Sequence, residues 1–181
     1  KDEKDLAEKI FRECVKGEKC TFINKILRKC PKTECNINYD KVRLVTGEEA
    51  SKHVKKDEIA VTSGDTIYFP NYDPAKIGDL AKLMHEMTHV YQNQTYGVWG
   101  DFKAAWEDTF MKEKERYAYK LDPDYPFSKN TIEGQAQMIR DYILFTLQEE
   151  HGITLSPEAK AGKDIIGKIL QKAELLQQIG L

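Results

Sequence analysis

The chain has 181 residues, a net charge of −2 at neutral pH, 40% hydrophobic and 32% charged residues. That length supports one domain with its own core, and the composition is that of an ordinary soluble globular protein. Near-balanced charge gives no electrostatic case for nucleic acid or an anionic membrane surface, and no apolar run approaches the roughly 18 residues of a membrane span.

The chain opens with Lys1-Asp-Glu-Lys-Asp5, neither a signal peptide nor an initiator Met, as expected of a mature product or a domain cut from a longer chain. Residues 1–40 read as a Cys-rich helical segment, with Leu6, Ile10, Phe11 and Cys14, then Phe22, Ile23, Ile26 and Leu27, at helical spacing and Gly17 as the break. All four cysteines lie here, Cys14, Cys20, Cys30 and Cys35, at spacings that match no common zinc ribbon or finger. Their even number and clustering suggest two local disulfides and an oxidising environment. Three pairings are open; a nested one, Cys14–Cys35 with Cys20–Cys30, would staple a helical hairpin.

Residues 41–70 read as a small sheet. Val42–Thr46 alternates, and Ile59–Thr62 and Thr66–Phe69 flank Ser63-Gly64-Asp65, a hairpin signal. The charged stretch between them, Glu48 to Glu58, is expected to hold a short helix, with His53 as a solvated surface histidine. Asp73 and Pro74 are expected to cap and open the next helix.

That helix, 74–96, carries the central motif, His85-Glu86-Met87-Thr88-His89. Apolar residues at Ile77, Leu80, Ala81, Met84, Met87, Thr88 and Tyr91 follow the 3.6 period. Residues four apart share a helix face, so His85 and His89 can aim two imidazoles at one point, as a tetrahedral Zn²⁺ requires. Glu86 is one step round and is placed to take a proton from an attacking water. Two of the chain's four histidines are spent here, in an apolar helix middle rather than on a solvated face.

Tyr96-Gly97 is expected to end the helix. Phe102, Ala105, Trp106, Thr109 and Phe110 form a helical face, with Trp99 and Trp106 as core or cleft wall. Glu115–Leu121 alternates and is expected to be extended. A helix over 131–150 follows, capped by Ser128, Asn130 or Thr131, with Ile132, Ala136, Ile139, Ile143 and Leu147 on its apolar face. A last helix over 156–179, opened by Ser156-Pro157, reads as packing.

A catalytic zinc takes three protein ligands. The pattern with a third histidine after Gly would need Gly at 92 and His at 95, where this chain has Gln92 and Thr95. The other common solution is a downstream helical glutamate, and Glu133 is the leading candidate; its small neighbours Gly134 and Ala136 would let the two helices approach closely. Asp141, Glu149, Glu150 and His151 are the reserves.

The stretches His-Glu-Met-Thr-His-Val-Tyr-Gln at 85–92 and Ile-Glu-Gly-Gln-Ala-Gln-Met-Ile-Arg-Asp-Tyr at 132–142 resemble zincin metallopeptidase domains of bacterial toxins, most of all the C-terminal domain of some type VI secretion (VgrG) spike proteins. The resemblance spans about residues 60–150. It implies a single α+β domain, mainly helical, with a small sheet packed on the motif helix. It also implies zinc on His85, His89 and Glu133, Glu86 as catalytic base, a peptide or protein substrate, a secretion-spike carrier and an immunity protein, and delivery into a target cell's periplasm. Gln137, where the thermolysin-like pattern has Asp, and the Cys-rich first 40 residues lie outside it. Tyr117, Tyr119 and Tyr142 are the candidates to stabilise an oxyanion. The expected activity is zinc-dependent peptide hydrolysis. An amidase acting on a non-protein bond and a non-enzymatic binding module are the alternatives, the latter disfavoured because binding alone has no use for Glu86.

Overall fold

The computed structural model describes residues 37–97, Thr109 and residues 111–173. The four cysteines, Trp99, Trp106 and the chain beyond Ala173 lie outside the described residues, as does all but Thr109 of the face expected from Phe102 to Phe110.

The fold is α+β. Strand β1 (Arg43–Val45) leads through the short helix α1 (Gly47–Ser51) to a hairpin of β2 (Val61–Ser63) and β3 (Thr66–Tyr68). The strands lie in the order β1-β3-β2, with β1 parallel and β2 antiparallel to β3. The hairpin turns on Gly64, whose φ of +58° at the first turn position is one that glycine adopts without strain. Leu44 and Ile67 are paired across β1 and β3 and both are buried. His53 is exposed, as expected, and stacks on Tyr68 with ring centroids 4.0 Å apart.

The motif helix α2 (Ile77–Tyr96) lies between this sheet and helix α4 (Ile132–Glu150). Burial therefore runs round its middle, from Leu83, Met87 and Val90 to His85 and Glu86, instead of along one stripe. Gly97 ends it at φ +53°. Its start differs from expectation. Asp73 does not cap it: Oδ1 of Asp73 accepts from Ala75 N at 2.9 Å in a turn before the helix, and α2 begins at Ile77.

The segment before α4 also differs. Glu113–Arg116 forms one helical turn, α3, and residues 117–121 join no strand among the described residues. The N-terminus of α4 takes up that segment's polar groups instead. Thr131 Oγ1 donates to the carbonyl of Arg116, and Asn130 Oδ1 accepts from Lys120 N at 3.1 Å. Thr131 is the N-cap, accepting from Gly134 N at 2.9 Å. Gly134 owes its small size to this same segment. A Cβ there would first meet Ala118 O and Thr131 Oγ1, both at 2.6 Å, so the close approach it permits is to Ala118.

Ile139, Ile143 and Leu147 of α4 join one core with Ile67, Phe69 and Val90, and with Ile166, Ile169 and Leu170 of α5 (Pro157–Lys172). Each such side chain, fully buried, contributes roughly 1.5–3 kcal/mol. Ser156 caps α5, accepting from Ala159 N at 3.2 Å, with Pro157 in the first turn. No helix among the described residues is long and apolar enough to cross a membrane.

Candidate metal centre

Packing of α2 on α4 sets the first turn of α4 against the middle of α2, and three candidate ligand atoms meet there. His85 Nε2 lies 3.1 Å from His89 Nε2. Glu133 Oε2 lies 3.2 Å from the first and 3.4 Å from the second. Zinc bonds of about 2.0–2.1 Å at tetrahedral angles set ligand atoms about 3.3 Å apart. The triangle matches that edge. Glu133 Oε2 is buried, with both imidazole nitrogens as its polar neighbours and no other hydrogen-bond partner among the described residues. The donor set, two imidazoles and a carboxylate, is that of a catalytic zinc site with a fourth position open. Among the described residues, these three form the one His/Cys/Asp/Glu group able to hold a metal ion.

A hydrogen-bond chain between α2 and α4 sets the tautomer of His89. The Asn130 carbonyl can only accept, so the Gln135 amide donates to it at 3.1 Å and turns its Oε1 toward Gln92. Gln92 Nε2 donates to that oxygen at 3.1 Å and to the Ile132 carbonyl at 3.0 Å. Gln92 Oε1 is then the atom facing His89 Nδ1 at 2.8 Å, and Nδ1 must carry the proton. In the neutral ring Nε2 then keeps its lone pair. His85 is held differently: it is 2% exposed and lies under the ring of Tyr117, with centroids 6.3 Å apart.

Glu86 is 2% exposed, and both its oxygens are engaged. Oε1 lies 2.7 Å from Lys82 Nζ, and Oε2 accepts from the Thr62 hydroxyl of β2 at 2.7 Å. A carboxylate offers about four lone-pair directions, so acceptor capacity remains.

The charges reinforce one another. Burial would raise the pKa of Glu86, but Lys82, with the two imidazoles, leaves it below the ordinary carboxylate value. Burial likewise opposes ionisation of Glu133, and hydrogen bonding and charge from His85 and His89 hold it far lower. Burial pushes His85 down, toward the neutral form a metal ligand needs. For His89 burial also works downward, and the Glu133 carboxylate outweighs it.

The triad opens into a cleft of about 830 Å³, walled by β2, α2, α4 and the Arg116–Tyr117 segment. Of the three tyrosine candidates, Tyr117 lines it. Tyr119 does not: its hydroxyl donates to Asp141 Oδ2 at 2.8 Å, and burial together with that carboxylate holds its pKa well above the usual value. Tyr142 packs against Gly167 of α5. The reserve ligands are placed elsewhere. Asp141 is engaged with Tyr119 and Gln137, Glu149 pairs with Lys163, and Glu150 and His151 are exposed at the far end of α4.

Lys82, Thr62, Gln92 and Arg140 were not singled out from the sequence. Lys82 stands four residues before Glu86 and Gln92 three after His89, spacings that place side chains together on a helix. Thr62 and Arg140 carry no such local signal.

Residues 28–97 match the eCIS core domain. The name denotes an extracellular contractile injection system core, and the match is that of a secretion-system-associated protein. It covers the sheet and the motif helix, including His85, Glu86 and His89, and ends before α4 and Glu133. No curated protein and no solved structure matches the chain.

Proposed function

We propose that the chain is a zinc-dependent peptidase of the zincin type, acting as a secreted effector of an injection machine. The observation that carries this reading is the triangle of His85, His89 and Glu133, at tetrahedral spacing with Glu86 beside it. Zinc held there would act as a Lewis acid, polarising a scissile carbonyl and making water a better nucleophile near neutral pH. Glu86, held charged by Lys82 and Thr62, takes the proton from the attacking water and passes it to the leaving amine nitrogen. Tyr117, on the cleft wall over His85, is the side chain positioned to donate to the developing oxyanion.

A peptide substrate is favoured over a non-protein bond by the sheet. Among the described residues β2 pairs on one side only, and Ala60, Val61 and Thr62 line the cleft. A strand edge offers backbone groups to an extended chain. The secretion setting supports delivery by a carrier to the periplasm of a target cell, with an immunity protein protecting the producer.

Elemental analysis of the natively purified protein and of Glu133→Ala tests the proposal. About one zinc per chain, largely lost in the variant, is expected. Casein, peptidoglycan and periplasmic extracts then serve as substrates, with Glu86→Ala as the inactive control. A wild type that holds no zinc and takes none up on titration would overturn the reading.

A further inference from the structure

Among the described residues, one cation of the cleft, Arg140, is only loosely paired by the protein itself. Helix α4 presents Glu133, Gln137 and Arg140 to the cleft at spacings of four and three. Lys82 meets Glu86 at 2.7 Å, and Lys55 meets Glu58 at 3.5 Å. Arg140 makes no hydrogen bond among the described residues. Its Nε is buried without a partner, and its Nη1 lies 3.7 Å from Asp141 Oδ1, beyond hydrogen-bond reach. Asp141 is engaged elsewhere: Gln137 Nε2 donates to Oδ1 at 2.9 Å and the Tyr119 hydroxyl to Oδ2 at 2.8 Å.

A guanidinium is a planar fork of five donors, and its bidentate partner is a carboxylate or phosphate. Leaving such donors unmade in a partly desolvated wall is unfavourable, and an incoming anion relieves it. Arg140 stands seven residues from Glu133, about 10 Å along the helix axis. Three residues of an extended peptide span about the same length. We propose that Arg140 is a carboxylate-binding subsite, so that the peptides taken by this cleft carry a carboxylate about three residues from the scissile bond. This rests on the peptidase reading. The carboxylate could belong to an acidic side chain or to the end of the peptide chain; Arg140 offers both the same fork.

The test uses immobilised, zinc-loaded Glu86→Gln protein and a pool of synthetic decapeptides read by mass spectrometry. The peptides come in matched pairs, Glu against Gln at each position and free against amidated C-terminus. Carboxylate-bearing members should be retained on the order of tenfold to a hundredfold better than their partners. Which type of pair shows the difference identifies the source. Adding Arg140→Gln should abolish the preference, while Arg140→Lys should keep part of it, with zinc content unchanged in both. Equal retention within every pair, no retention of any peptide, or a preference that survives Arg140→Gln overturns the subsite. Wild-type cleavage of the same pool separates the two claims. Cleavage without carboxylate preference removes the subsite alone; carboxylate-dependent retention without cleavage removes the peptidase reading alone.

Discussion

Gln92 Oε1 stands 2.8 Å from His89 Nδ1, one turn along α2, while the amide nitrogen of the same side chain reaches across to the Ile132 carbonyl of α4. One buried amide therefore orients His89 on α2 and ties it to the first turn of the helix that supplies Glu133. Replacing Gln92 with Met keeps the volume and removes the acceptor. Zinc affinity should fall about tenfold to a hundredfold, the usual effect of losing a ligand's orienting partner. Chelator competition measures it, and an unchanged dissociation constant would show that burial alone orients His89.

Glu86 is expected to separate binding from chemistry. Glu86→Gln preserves shape and both neighbours, so zinc content should match the wild type. Hydrolysis should drop on the order of 10²–10⁴-fold, the range for a general base. Lys82→Met should retain zinc too, but it leaves the buried Glu86 with the Thr62 hydroxyl as its remaining side-chain donor among the described residues, so both rate and stability should decline. A Gln variant with full activity would move the base elsewhere.

Zinc should also stabilise the fold, because its ligands come from two helices that must pack to create the site. At zinc a hundredfold above its dissociation constant the gain is about 2.7 kcal/mol. For a chain of this size that corresponds to a thermal midpoint about 5–10 °C higher than in chelator. Differential scanning calorimetry with and without EDTA reads the shift, and Glu133→Ala should erase most of it.

Gly134→Ala should destabilise although alanine is the better helix former. Its Cβ would lie 2.6 Å from both Ala118 O and Thr131 Oγ1, and moving either disturbs the cap of α4 and the segment carrying Tyr117. The expected cost is about 1–3 kcal/mol, read from the urea midpoint. An alanine variant as stable as the wild type would mean that the 116–118 segment yields easily.

The three residues of the candidate metal centre were legible because their signal is local. His85 and His89 four apart, and Glu133 in the first turn of a capped amphipathic helix, follow from helix geometry and spacing. The hairpin at Gly64 was legible for the same reason, since its turn chemistry sits in consecutive residues. Asp73 and the Glu115–Arg116 end of the segment to Leu121 depart from expectation because side-chain capping competes with the regular structure that pattern alone suggests. Asp73 spends its carboxylate on a turn, and the 116–120 backbone is held by Thr131 and Asn130. Thr62 reaching Glu86, Gln92 joining α2 to α4, and Arg140 standing in the cleft were decided by tertiary structure alone. Each depends on which elements pack together and at what register, and no periodicity within one element encodes that. Spacing along the chain selected the chemistry; the packing of β2 and α4 on α2 determined which side chains orient it and what charge the cleft presents to a substrate.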